Sequence, residues 1–245
     1  MIAQAIDKII SLSKPDVIEI NGEIYTSRDL RRKNTALRAD SIFIKTLSGL
    51  IEYMAANKEK FDMWSSYFLH VKSEVCVELV SDLDSDRKRE TIVTTEADTP
   101  DLPIGRYINQ ETFLIGVQAN FIDNKENPET DLAAVLKFAG SVTSGTITDY
   151  KDDGVTQKAT VRVGISSKAE AVVPSPARLR PYRTFTEVAQ PASEFIFRMQ
   201  EGKEGPLCAL IEADGGAWKK EAMQNIKEYL DAALEEKGIS VPVIA

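Results

Sequence analysis

The residues of this chain best suited to recognition chemistry are Arg178, Arg180, Tyr182, Arg183 and Phe185, three guanidinium groups interleaved with two aromatic rings. Guanidinium forks match phosphate oxygens and aromatic rings offer stacking faces, so this segment has the composition of a phosphate and base clamp. Prolines at 174, 176, 181 and 191 stiffen it. The same residues have a structural use: the arginines can neutralise carboxylates, which are in excess here, while Tyr182 and Phe185 anchor the segment to a core. A second basic cluster, Arg28, Arg31, Arg32, Lys33 and Arg38, is interrupted among charged residues only by Asp29. Joined on one face, the two clusters would make a local polyanion groove; apart, the second is a solvated loop.

Other groups that could do chemistry are weaker. Asp82, Asp84 and Asp86 imitate the start of a calcium loop, but Arg87 stands where that loop needs glycine and Val93 where it needs glutamate. A charged hairpin turn explains them better. Glu212 and Asp214, two apart at the end of a strand, could hold a metal as a pair or cap the helix that follows. Asp214-Gly215-Gly216 resembles an anion-holding strand-to-helix turn, yet neither dinucleotide nor P-loop glycine spacing can be completed there. His70 is the only histidine and reads as a strand-face residue beside Phe68 and Lys72. Trp64 and Trp218 read as core or interface anchors. No nucleophile, base and orienting acid can be assembled from these residues, and the expectation is a non-enzyme without cofactor or metal.

The bulk composition sets the frame. The chain has 245 residues, 43% hydrophobic, and a formal net charge of −8. That is enough apolar content for a sizeable core, while the acidic balance opposes whole-surface attraction to nucleic acid or anionic lipid. Cys76 and Cys208 lie in strand-like apolar runs and suit reduced core thiols. No apolar run is long enough to span a bilayer, so no membrane partner is expected.

The elements that must carry these residues alternate without a βαβ rhythm. Ile2, Ile6, Ile9 and Ile10 have helical spacing; Asn21-Gly22 marks a hairpin between 17–20 and 23–25. A strand at 42–45 leads into a helix capped by Thr46, and a meander follows over 63–71, 75–80 and 89–96. Helices are predicted at 110–121 and, after Asn127-Pro128, up to Gly140. An Asp153-Gly154 turn joins the arms of a long β-hairpin at about 143–165. Residues 174–191 resist regular assignment and predict an ordered crossover or a hinge. Strands at 194–199 and 207–213, a helix over 217–237 stopped by Gly238, and a strand at 239–244 complete the chain. The expected fold class is α+β, a mixed, mostly antiparallel sheet with helices on one side. The organisation is a region 1–173 and a ββαβ region 174–245, packed as one continuous unit.

Arg178 to Glu187, Pro191, Phe195 to Met199 and Glu212 to Lys219 resemble a protein family encoded by phages and prophages of Gram-positive bacteria, distantly similar to the YfdQ proteins of enterobacterial prophages. Ile20-Asn21-Gly22 and Tyr25 to Leu30 fit the same resemblance. It implies a setting, the cytoplasm of a bacterial host cell, and assigns no role to any residue. The functional expectation is a homo-oligomer that binds nucleic acid during replication or recombination. The alternatives are an anti-defence protein that sequesters a nucleotide signal or a host protein, and a structural protein that assembles into rings or filaments.

Overall fold

The computed structural model describes residues 2–13, 17–20, 23–26, 38–57, 60, 64–84, 87–122, 131–141, 147–152, 157–163, 167–172 and 176–245. The chain divides into two compact units, residues 1–39 and 40–245.

In the first unit, helix α1 (Ile2–Ser13) precedes strands β1 (Val17–Ile20) and β2 (Glu23–Thr26), which pair antiparallel with Ile20 opposite Glu23. That register is the one a two-residue turn demands. Ile2, Ile6, Ile9 and Ile10 give α1 an exposed apolar stripe.

The second unit opens with β3 (Ile42–Ile44) and α2 (Leu47–Ala56), whose first turn is closed by Thr46 accepting from the Gly49 N–H at 3.1 Å. After a short 3-10 turn at Trp64–Ser66 come β4 (Tyr67–Ser73), β5 (Cys76–Ser81) and β6 (Thr91–Glu96), the predicted meander. The charged turn between β5 and β6 is tied by Asp84, which accepts from the Lys88 N–H at 2.8 Å. Then follow β7 (Ile108–Asn109), α3 (Gln110–Asn120) and α4 (Asp131–Ser141). Asn109 caps α3 by accepting from the Thr112 N–H at 2.8 Å. The predicted cap of the next helix, Asn127-Pro128, lies outside the described residues.

The long hairpin is present as β8 (Ile147–Asp152) and β9 (Gln157–Val163), and a third antiparallel strand, β10 (Ser167–Val172), extends it. The chain ends with β11 (Ala177–Leu179), β12 (Ser193–Gly202), β13 (Gly205–Glu212), α5 (Trp218–Lys237) and β14 (Val243–Ile244). Only the last two residues of the strand expected at 239–244 pair: Ile239 instead closes the helix end by donating to the Leu234 carbonyl at 3.0 Å, behind Gly238 at φ 67°.

Two sheets of this unit each bury one face against helices. The five-stranded sheet β14-β4-β5-β6-β3 is antiparallel at its centre and parallel at both edges. Its Leu69, Val71, Val77, Leu79 and Val93 pack under α2 and α5 with Leu50, Met54, Ile226 and Leu230. The four-stranded sheet β11-β12-β13-β7 packs Phe195, Phe197, Met199, Cys208 and Leu210 against Phe113 and Val117 of α3 and Val135 and Phe138 of α4. Alternation along β12 does this: residues 193, 195, 197 and 199 are buried, and their neighbours face outward. The chain is α+β with mostly antiparallel sheets, and among the described residues no helix is long and apolar enough to cross a membrane.

Candidate functional site

The candidate segment is an ordered crossover. From residue 177 to residue 183 burial alternates strictly: Ala177, Leu179, Pro181 and Arg183 point inward, and Arg178, Arg180 and Tyr182 point outward. The backbone is held along both edges. Strand β11 pairs with β12, Arg178 standing opposite Glu194, and the continuation pairs with the end of α3. There the Arg180 carbonyl accepts from the Ile122 N–H and the Tyr182 N–H donates to the Asn120 carbonyl, both at 2.9 Å. The Asp131 carboxylate at the start of α4 accepts from the Arg178 N–H at 2.6 Å.

Past Tyr182 the crossover leaves the core under the four-stranded sheet and plugs the other one. Phe185, 2% exposed, and Val188 belong to the core beneath the five-stranded sheet. Gln190 closes the loop. Its Oε1 accepts from the Arg183 and Thr184 N–H groups at 3.0 and 3.3 Å, and its Nε2 donates to the Phe185 carbonyl at 2.8 Å. The Asn225 side chain of α5 donates to the Ala189 carbonyl at 2.9 Å, and Glu187 accepts from the Ser48 N–H at 3.3 Å. The hinge expected here as one alternative is therefore stitched on both sides.

Arg183 and Phe185 correct the expectation that all five residues of the segment meet a ligand. The Arg183 side chain, 5% exposed, is ion-paired with Glu212, donates to the Ser193 hydroxyl, and lies over the Trp218 ring with Cζ 3.8 Å from its centroid. The Ser193 Oγ in turn donates to Asp214 Oδ2 at 2.5 Å. Burial lowers the Arg183 pKa, against the opposing pull of Glu212 and Asp214. Burial by itself would raise the Asp214 pKa, but the Ser193 hydroxyl, the Gly216 N–H and the Arg183 charge outweigh it and hold the carboxyl below its ordinary value. Glu212 and Asp214 thus serve Arg183 and the helix turn. Asp214 Oδ1 accepts from the Gly216 N–H at 3.0 Å, and its carbonyl accepts from the Ala217 N–H at 3.3 Å. Gly215 and Gly216 at φ 64° and 80° make this turn, which residues with side chains rarely adopt.

Arg178 and Arg180 are exposed, and among the described residues neither side chain makes an ion pair. Tyr182, 37% exposed, lines an open cleft of about 460 Å³ with Asp98, Thr99, Pro100, Asn120 and Thr186. Arg28, Arg31, Arg32 and Lys33 lie outside the described residues, and Arg38 is exposed in the unit 1–39. His70 is a half-buried strand residue opposite Glu78. Cys208 is buried and Cys76 half-buried, both unbridged.

The chain matches no protein-family model, no curated protein and no solved structure. The cleft residues Asp98, Thr99, Asn120 and Thr186 carried no signal in the sequence. They come from the loop after β6, the end of α3 and the crossover, which only tertiary packing brings together.

Proposed function

We propose that this protein binds single-stranded nucleic acid without catalysing a reaction, acting as a homo-oligomer during replication or recombination in a phage-infected bacterial cell. The observation that carries the reading is the outward row Arg178, Arg180, Tyr182, three alternate residues of one backbone-paired extended segment. Alternate residues of a strand are roughly 6.6 Å apart, so the row offers two guanidinium forks and then a ring along a line. Forks match successive phosphates, and the ring stacks a base. Because the segment is bonded along both edges, the row is organised before a ligand arrives, which lowers the ordering cost of binding.

Self-association is supported by apolar side chains at strand edges and on α1. Ile42 and Phe43 of edge strand β3 are 42% and 74% exposed, and Ile244 of the opposite edge strand is 52% exposed. Uncovered apolar edges favour pairing with another copy. Repetition also answers the acidic balance of the chain: two phosphate contacts per protomer are few, and several protomers on one strand multiply them. The phage setting rests on the resemblance of the 178–187 and 212–219 segments.

Fluorescence anisotropy with labelled single-stranded and duplex oligonucleotides over a salt series tests the reading. Binding to single strands that weakens with salt supports it; no binding even at about 50 mM salt, where phosphate contacts are strongest, overturns it.

A further inference from the structure

The cleft beside the arginine row has its own chemistry. Tyr182 is its aromatic wall, on a main chain held by the bond from its N–H to the Asn120 carbonyl at 2.9 Å. Thr99 and Thr186 bring hydroxyls, Asn120 an amide, and Asp98 a carboxylate, with no lysine or arginine among the described lining residues. Among these residues a phosphate finds no cationic partner and meets the Asp98 carboxylate. A planar polar ring does have partners, and about 460 Å³ is within the range of small-ligand clefts.

We infer that this cleft takes a guanine base of a single strand whose phosphates lie along Arg180 and Arg178, and that Asp98 makes binding guanine-selective. The inference rests on the reading of the row as a phosphate-binding surface. An ionised carboxylate is acceptor-only, with two oxygens side by side, and is best met by two adjacent N–H donors. The Watson–Crick edge of guanine presents that pair, N1–H and the N2 amino group. Adenine and cytosine each set a ring-nitrogen acceptor beside their amino group, and thymine sets carbonyl oxygens on both sides of its single N–H. Each would place an acceptor against Asp98. In a duplex the guanine edge is already paired, so the same contact favours single strands.

The test uses the full chain and labelled oligo-dT strands carrying one central dG, dA, dC or dT, compared by anisotropy for the unaltered protein and for Asp98→Asn. Asp98 is exposed, so the exchange leaves the core untouched. The expected result is a dG strand bound at least about fivefold more tightly than the others, with the preference collapsing towards one in D98N while binding to the all-dT strand is retained. Equal affinity for the four strands, or a dG preference that D98N does not move, overturns the inference and leaves the arginine row standing. No binding to any strand overturns both.

Discussion

The guanidinium of Arg183 lies face-on to the Trp218 indole, Cζ 3.8 Å from the ring centroid, while the same side chain is ion-paired with Glu212. This joins the crossover to the first residue of α5, so the most buried arginine of the candidate segment holds the fold together rather than facing a ligand. Removing one partner of such a buried pair leaves its surroundings arranged for a charge that is gone. Arg183→Met should therefore destabilise the protein by about 3 kcal/mol, read as a lower urea midpoint at unchanged m-value. The folded fraction should keep the proposed nucleic-acid binding, because Arg178 and Arg180 point the other way.

The acid side of stability should depend on Asp214. Its folded pKa lies below the unfolded value because the Ser193 hydroxyl, the Gly216 N–H and the Arg183 charge outweigh the effect of burial. The unfolded state then binds the proton first as pH falls. The contribution is whole above the unfolded carboxylate pKa of about 3.9 and is lost as pH drops below it towards the folded value. Asp214→Asn should flatten the fall in urea midpoint between about pH 5 and pH 3; an unchanged slope would remove Asp214 from the account.

Alkaline pH should act through Cys208. Burial pushes its thiol up to about 12, well above an unfolded cysteine. Between an unfolded pKa of about 8.5 and the folded value, unfolding releases a proton, so stability falls with rising pH by up to about 1.4 kcal/mol per unit. Cys208→Ala should make that limb shallower, as measured by urea midpoints from pH 7.5 to 10.5, and what remains belongs in part to Cys76, whose thiol burial also raises. In the native protein at pH 8, Cys208 should also resist thiol reagents until the chain unfolds.

The local parts of the fold were legible where one residue type fixes one geometry. Thr46 is a cap because its hydroxyl accepts from Gly49, and Gly238 ends α5 because φ 67° suits glycine. The parallel pairings of β3 with β6 and β14 with β4 were not legible, since hydrophobic period tells a strand's face but not its neighbour. The site was readable in half. The period-2 pattern that turns Arg178, Arg180 and Tyr182 outward and Arg183 inward is present in the sequence, but four nearby prolines argue against a strand and hide it. That Phe185 would fill the core of the other sheet depends on where the crossover travels, and local spacing does not encode it.

The arginine row makes its prediction through salt. Each phosphate neutralised on a single strand adds about 0.7 to the steepness of log affinity against log salt, so two arginines give a slope near −1.4 per protomer. Arg178→Ala and Arg180→Ala should each reduce the steepness by about 0.7 and weaken binding to all sequences alike, since phosphate contacts carry no sequence. The two should not be equal in affinity. Arg178 stands opposite Glu194, with the Asp131 carboxylate bonded to its backbone N–H, so part of its attraction is already offset. Arg180 is followed by Pro181 and Tyr182, away from both acids in the strand register. Arg180→Ala should therefore cost the larger share of affinity, and Glu194→Gln should strengthen binding while making Arg178→Ala more damaging than in the unaltered protein. Anisotropy titrations of the four variants at three salt concentrations measure both effects, and identical slopes throughout would mean that neither side chain meets a phosphate.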